Sequence, residues 1–189
     1  GGIVGTLSSG AGTANAKFSY GSYFGTMTDR AVYPYNDNHD ISGNTLSVVL
    51  PDTYNLGANT NNTNAAMYAV VSNGNLKFNH LAGVMRFEFK NAPAGTNQFK
   101  ITLDKKINGT FNADITQSYP TIITSETNGD AEKTITFNFN ALEETSDMRI
   151  YVPLPVGEYG KLELELNTAT ETVWSYSKNV NNVIARRGL

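Results

Sequence analysis

The sequence contains no cysteine, which excludes disulfides, thiol nucleophiles and thiolate metal sites. Charge is also scarce. Charged residues make up 16% of the chain, against about 25% in an ordinary globular domain. The 14 basic and 17 acidic residues give a net charge of -3, and the basic ones are scattered. Without a basic stripe, nucleic acid is not an expected partner, nor is an anionic membrane surface. No apolar run approaches the ~18 residues of a transmembrane segment, so none is expected here. No window shows apolar residues at the i, i+3, i+4, i+7 spacing of a buried helix face.

What the chain has instead is Asn and Thr, together about a quarter of its residues. Thr suits strands and Asn suits turns. The most informative stretch runs from Leu76 to Asn91. Leu81, Met85, Phe87 and Phe89 fall on odd positions, with Arg86, Glu88 and Lys90 between them. A period of two marks a strand with one buried face. Before it, Leu76 and Phe78 are even. A change of parity turns every side chain to the other face, so the strand is expected to bulge or bend between Asn79 and Gly83, with Gly83 permitting it.

Similar alternation marks Leu46 to Leu50, Phe99 to Leu103, Ile107 to Ile115, Ile135 to Phe139, Met148 to Leu154, Leu162 to Leu166 and Thr172 to Lys178. Lys17 to Tyr20 and Ala31 to Tyr35 add short candidates, the second confined to an edge by Pro34. Ser72-Asn73-Gly74-Asn75, between Met67–Val71 and Leu76–Phe78, is a hairpin signal. Asn36 to Asn44, residues 55–64 and Pro155 to Gly160 read as loop or turn. The expected fold is all-β, an antiparallel β-sandwich of Greek-key or transthyretin-like type with little or no helix. Residues 1–16, rich in Gly, Ala and Ser, read as a flexible arm or an exchangeable strand carrying Ile3, Val4 and Leu7. Residues 17–189 read as the sandwich, with a split near 60–66 as the alternative.

Candidates for chemistry are few. His39, beside Asp37 and Asp40, matches no metal spacing and reads as a solvated loop residue. His80 reads as a partly buried imidazole bonded to backbone at the bend. Glu163 and Glu165 alternate with leucines and point outward together. Glycosidases need facing carboxylates, but a solvated sheet face gives the same pattern. No nucleophile elbow, phosphate loop or His-Glu-x-x-His is present. The expectation is a non-enzyme with no cofactor and no metal. Tyr20, Tyr23, Tyr33 and Tyr35 near the start, and Trp174 with Tyr176 near the end, are the remaining candidates. Such rings stack on sugars, and they also fill sheet faces.

Several segments resemble, in order, those of fimbrillin-like proteins, the pilus subunits and surface adhesins of Bacteroides-type bacteria. Tyr33-Pro34-Tyr35 is similar to the family's edge segment, and Val49-Leu50-Pro51 to a strand stop. Phe78-Asn79-His80-Leu81 followed by Arg86-Phe87 resembles its central block. Ile107-Asn108-Gly109-Thr110-Phe111, Val152-Pro153-Leu154-Pro155-Val156-Gly157-Glu158-Tyr159 and Ile184-Ala185-Arg186 resemble later strands. The resemblance covers residues 17–189. It implies an exported protein of the outer membrane surface or fimbrium: a structural subunit or a fimbria-associated adhesin. Its implied partners are other fimbrial subunits, joined by strand exchange, and a host or microbial surface glycan or protein. The alternative is a monomeric carbohydrate-binding surface lipoprotein. In family pilins an N-terminal strand is removed by proteolysis and a neighbour's strand fills the groove. Arg30 offers a cleavage position, but Phe18 and Tyr20 before it look packed, which favours the arm before Ala16 as the mobile element.

Overall fold

The computed structural model describes residues 5–9, 17–19, 30–60, 63–72, 75–124 and 133–185. Among these residues sixteen strands follow in chain order: β1 (Thr6–Ser9), β2 (Lys17–Ser19), β3 (Arg30–Tyr33), β4 (Asp40–Ser42), β5 (Thr45–Leu50), β6 (Thr53–Gly57), β7 (Met67–Ser72) and β8 (Asn75–Leu76). Then come β9 (Asn79–His80), β10 (Gly83–Ala92), β11 (Gln98–Leu103), β12 (Gly109–Asp114), β13 (Thr134–Phe139), β14 (Ser146–Leu154), β15 (Gly157–Asn167) and β16 (Thr172–Ala185). With 63% strand and 1% helix, the chain is all-β, as the period-two patterns require.

The strands build two sandwiches. In the larger one, the two-stranded sheet β10-β14 packs on the five-stranded sheet β16-β15-β11-β13-β6. The inward residues of β11 (Phe99, Ile101, Leu103) and β13 (Ile135, Phe137, Phe139) meet Phe89, Met148, Ile150 and Val152 from the facing sheet. All these pairs are antiparallel except β13 with β6. In the smaller sandwich, β12-β5-β4 packs on β3-β7-β8, with β9 also paired to β7. Its core holds Leu46, Val48, Leu50, Tyr68, Leu81, Phe111 and Ile122. Each such side chain contributes about 1.5–3 kcal/mol by leaving water.

Neither core is a contiguous stretch of chain. Leu46–Leu50 lie in the smaller core, Tyr54 and Leu56 in the larger, and Ala66–Ala82 in the smaller. Phe89–Ile107 return to the larger, Phe111–Ile122 to the smaller, and Ile135–Leu166 to the larger. The chain therefore changes core five times along that order. The parity change before β10 is one of these crossings. Of the expected bulge or bend, the chain takes the bend: Leu81 and Ala82 turn after β9, and both are buried in the smaller core. Met85, Phe87 and Phe89 then face the larger core. Another crossing falls at Gly109, whose φ of 90° is a conformation that glycine adopts without penalty.

Other expectations need correction. Asn36 to Asn44 is not all loop, because β4 pairs with β5 through the two-residue turn Gly43-Asn44, with Gly43 at φ 59°. Residues 55–64 begin within β6, where Tyr54 and Leu56 are buried. Pro155 to Gly160 is mostly strand. β15 starts at Gly157, Tyr159 is buried, and its hydroxyl donates to the Pro155 carbonyl at 2.7 Å. His80 is exposed rather than partly buried. His39 is half-buried, and its Nδ1 accepts the Val49 N–H at 3.2 Å, tethering the loop to β5. Burial pushes its pKa below the ordinary value.

Candidate functional site

Among the described residues the larger sandwich is uneven, with two strands facing five. β16 lies at the edge of the larger sheet, and among the described residues the facing sheet has two strands, β10 and β14. Trp174 stands opposite Leu166 and Tyr176 opposite Leu164, so both rings project to the inner, core-facing side. Ser175 and Ser177, opposite Glu165 and Glu163, project outward. Yet Trp174 and Tyr176 remain 39% and 40% exposed. They lie on the core-facing side but stay partly exposed, with Trp174 against Phe89 of the facing sheet.

A file of rings runs from the interior to these two side chains. Tyr54 stacks on Phe137 at 5.0 Å, Phe137 on Phe99 at 5.8 Å, and Phe89 meets Phe99 in a T-shaped contact at 5.1 Å. Trp174 meets Phe89 edge-on at 5.7 Å, and Tyr176 lies parallel to Trp174, 6.3 Å away and 4° inclined. Offset and edge-on contacts at these distances are favourable aromatic geometries. Phe87, Met85, Leu162 and Val173 are half-buried against the same core. Among the described residues β10 pairs only with β14, so one of its edges carries unpaired main-chain groups. An unpaired strand edge beside half-buried apolar side chains is a place where another strand can add.

The outer face of β10 is polar. Glu88 pairs with Arg149 at 2.7 Å and Arg86 at 3.6 Å, across the register Glu88↔Arg149. On the outer face of β15, Glu163 meets Lys161 at 2.8 Å and Glu165 meets Lys100 at 3.6 Å. The Lys161 ammonium, hydrogen-bonded to the Glu163 carboxylate, lowers its pKa. These carboxylates are ion-paired on the outer face of the sheet.

The other sequence-selected rings lie elsewhere. Tyr33 ends β3, donates its hydroxyl to Asn64 Oδ1 at 3.0 Å and meets Phe78 edge-on at 6.5 Å. Tyr35 is 63% exposed, with its hydroxyl on the Asp37 carboxylate, which holds its pKa above the ordinary phenol value. The four described rings thus fall in two places, Tyr33 and Tyr35 at the smaller sandwich and Trp174 and Tyr176 at the larger. Tyr20 and Tyr23 lie outside the described residues, as do Ile3 and Val4. Leu7 is in β1, opposite Phe18 of β2, and the ribbon β1-β2 pairs with no other strand among the described residues. Among those residues, no three His, Asp or Glu side chains group as a metal site, and no helix is long and apolar enough to cross a membrane.

Sequence reading found Trp174 and Tyr176 but not the open side they line, nor a row of carboxamides on the opposite face of the same sheet. Asn55, Asn138, Gln98 and Asn167 occupy one outward row across β6, β13, β11 and β15. An Asn or Gln at each of these positions is visible in the sequence. Their alignment depends on strand order.

No protein-family model matches this chain, and no curated protein does. A solved structure does: a "putative cell adhesion protein" from Bacteroides ovatus. The two chains are 15% identical and superpose with a TM-score of 0.53, over 92% of this chain and 67% of the other. At that identity the likeness establishes a shared fold.

Proposed function

We propose that the chain is a structural subunit or fimbria-associated adhesin of the bacterial surface, assembling with other subunits by strand exchange. The observation that carries this is the open side of the larger sandwich. There the unpaired edge of β10 runs beside Met85, Phe87, Leu162, Trp174 and Tyr176. A donated strand would hydrogen-bond to β10 and set alternate side chains among those residues. The fold shared with a protein named for cell adhesion supports the surface role. Among the described residues β1 pairs only with β2, so removing it would break no other strand pair, which suits the N-terminal arm as the piece that leaves. The alternative, a monomeric carbohydrate-binding lipoprotein using these aromatics, has less behind it. Trp174 is already engaged in a T-shaped contact with Phe89 and in a stack with Tyr176, which suits a groove wall better than a free stacking platform.

The test is to delete residues 1–16 and follow assembly by light scattering, alone and with a synthetic peptide of residues 1–16. The truncated chain should polymerise or capture the peptide, while the intact chain stays monomeric. Tyr176→Asp in the truncated chain should weaken both. A truncated chain that stays monomeric and binds no strand, or assembly indifferent to Tyr176→Asp, would refute the reading.

A further inference from the structure

The outer face of the five-stranded sheet carries a hydrogen-bonded chain of side chains. Thr172 Oγ1 donates to Asn167 Oδ1 at 2.7 Å, Asn167 Nδ2 to Gln98 Oε1 at 3.0 Å, Gln98 Nε2 to Asn138 Oδ1 at 3.0 Å, and Asn138 Nδ2 to Asn55 Oδ1 at 3.2 Å. All donors point the same way, from β16 to β6. The neighbouring row, with Lys100 and Glu165, is charged and ion-paired. The carboxamide row is neutral, and its three inner members are half-buried.

A depression of about 490 Å³ lies at this end of the sheet, lined by Asn97, Gln98, Asn138, Asn167, Thr168 and Glu171 among others. Its wall is a tight turn. The Thr168 N–H donates to the Glu171 carbonyl at 2.9 Å, and the Glu171 N–H to Thr168 Oγ1 at 3.2 Å. The floor is fixed by backbone bonds from the Asn97 N–H to the Asn167 carbonyl and from the Phe139 N–H to the Asn97 carbonyl, each 2.9 Å.

A primary amide has two N–H donors and two lone pairs on its oxygen. The chain of bonds uses one of each on Asn138, Gln98 and Asn167. Each therefore keeps one donor and one acceptor, held in place and repeated at the strand spacing of about 4.8 Å. A hydroxyl is a donor and an acceptor at once, so neighbouring hydroxyls match this row, whereas a simple anion or cation would use only half of it. Glu171 adds a carboxylate that bonds to nothing else among the described residues. It accepts further hydroxyls and repels negative charge.

We infer that this depression is a binding site for a neutral saccharide, held through its hydroxyls by Gln98, Asn138, Asn167 and Glu171. The inference does not depend on strand exchange, because β10, Trp174 and Tyr176 lie on the other side of the sheet.

The test uses the ¹⁵N-labelled full chain and a panel of neutral cello-, manno-, xylo- and galacto-oligosaccharides, with an oligogalacturonate as the anionic comparison. A neutral oligomer should shift the side-chain amide resonances of Gln98, Asn138 and Asn167, and the oligogalacturonate should not. Ala169 is exposed beside the depression, so Ala169→Trp should fill it without unfolding the sheet and weaken binding by roughly tenfold or more. Gln98→Leu should do the same by interrupting the row. Trp174→Ala should leave binding intact. The site is wrong if no neutral oligomer moves those resonances, if oligogalacturonate binds equally well, or if Trp174→Ala abolishes binding that survives Ala169→Trp. Assembly of the arm-deleted chain, read by light scattering, tests strand exchange separately.

Discussion

Removing one side chain from the smaller core should weaken the larger core equally. Leu81 is the sharpest probe. Its side chain is fully buried, and its backbone is held on both sides. The Leu81 N–H donates to the Ala66 carbonyl at 2.9 Å, and its carbonyl accepts the Ile122 N–H at 2.8 Å. A backbone pinned in this way cannot collapse into the space left by Leu81→Ala. The loss should therefore fall in the upper part of the usual range, about 3–5 kcal/mol. At about 2–4 °C per kcal/mol for a chain of this size, the midpoint should drop by roughly 6–20 °C. Ile150→Ala, at an equally buried position of the larger core, should shift the same transition by a similar amount. The reason is connectivity: each core is assembled from segments separated by segments of the other, so neither can form without most of the chain in place. Differential scanning calorimetry should show one transition, with calorimetric and van't Hoff enthalpies equal. Two resolved transitions, with Leu81→Ala moving only one, would refute the coupling and favour separate units.

Two further outcomes follow from side-chain placement. Phe89→Ala removes a buried ring that touches Phe99 and Trp174 and should cost about 3–5 kcal/mol. Glu88→Ala, next to it but exposed, should cost under about 1 kcal/mol despite its 2.7 Å contact with Arg149; comparable losses in denaturant melts would overturn the register. His39 has a folded pKa below its unfolded value near 6.5, so protonation favours the unfolded chain. Its contribution is present above pH ~6.5 and is lost as pH falls toward the folded value. His39→Gln should flatten that part of the stability–pH curve, and an unchanged slope would show that His39 is not its source.

The strands were legible where one face is buried and the other wet. β5, β11, β13 and β14 read directly from alternation, because burial on one side leaves a period of two in the sequence. β4 was not legible, since its three residues are all exposed and only its pairing with β5 defines it. The start of β15 was hidden by Pro155 and Gly157, which signal a turn by composition. The parity change at Leu76–Leu81 was read correctly as a break in facing. Its cause was out of reach, because a bulge within one sheet and a crossing between two cores leave the same trace in one dimension.

The sites divide along the same line. Exposed aromatics can be counted in a sequence, and Trp174 and Tyr176, two residues apart, were bound to share a face of any strand that contained them. Whether that face is covered depends on how many strands lie opposite, and no local pattern records that number. The carboxamide row is harder still. Asn55 and Asn138 are 83 residues apart, and Gln98 and Asn167 are 69. They meet only because β6 joins β13 in parallel while β11 lies between β13 and β15. A slip of one residue in any of those registers would turn one amide into the core. The row is therefore a property of the fold's register, and a residue-by-residue reading sees in it only polar positions on a solvated face. For the same reason, a substitution that shifts register without unfolding the sheet should abolish the row while leaving every one of its residues in place.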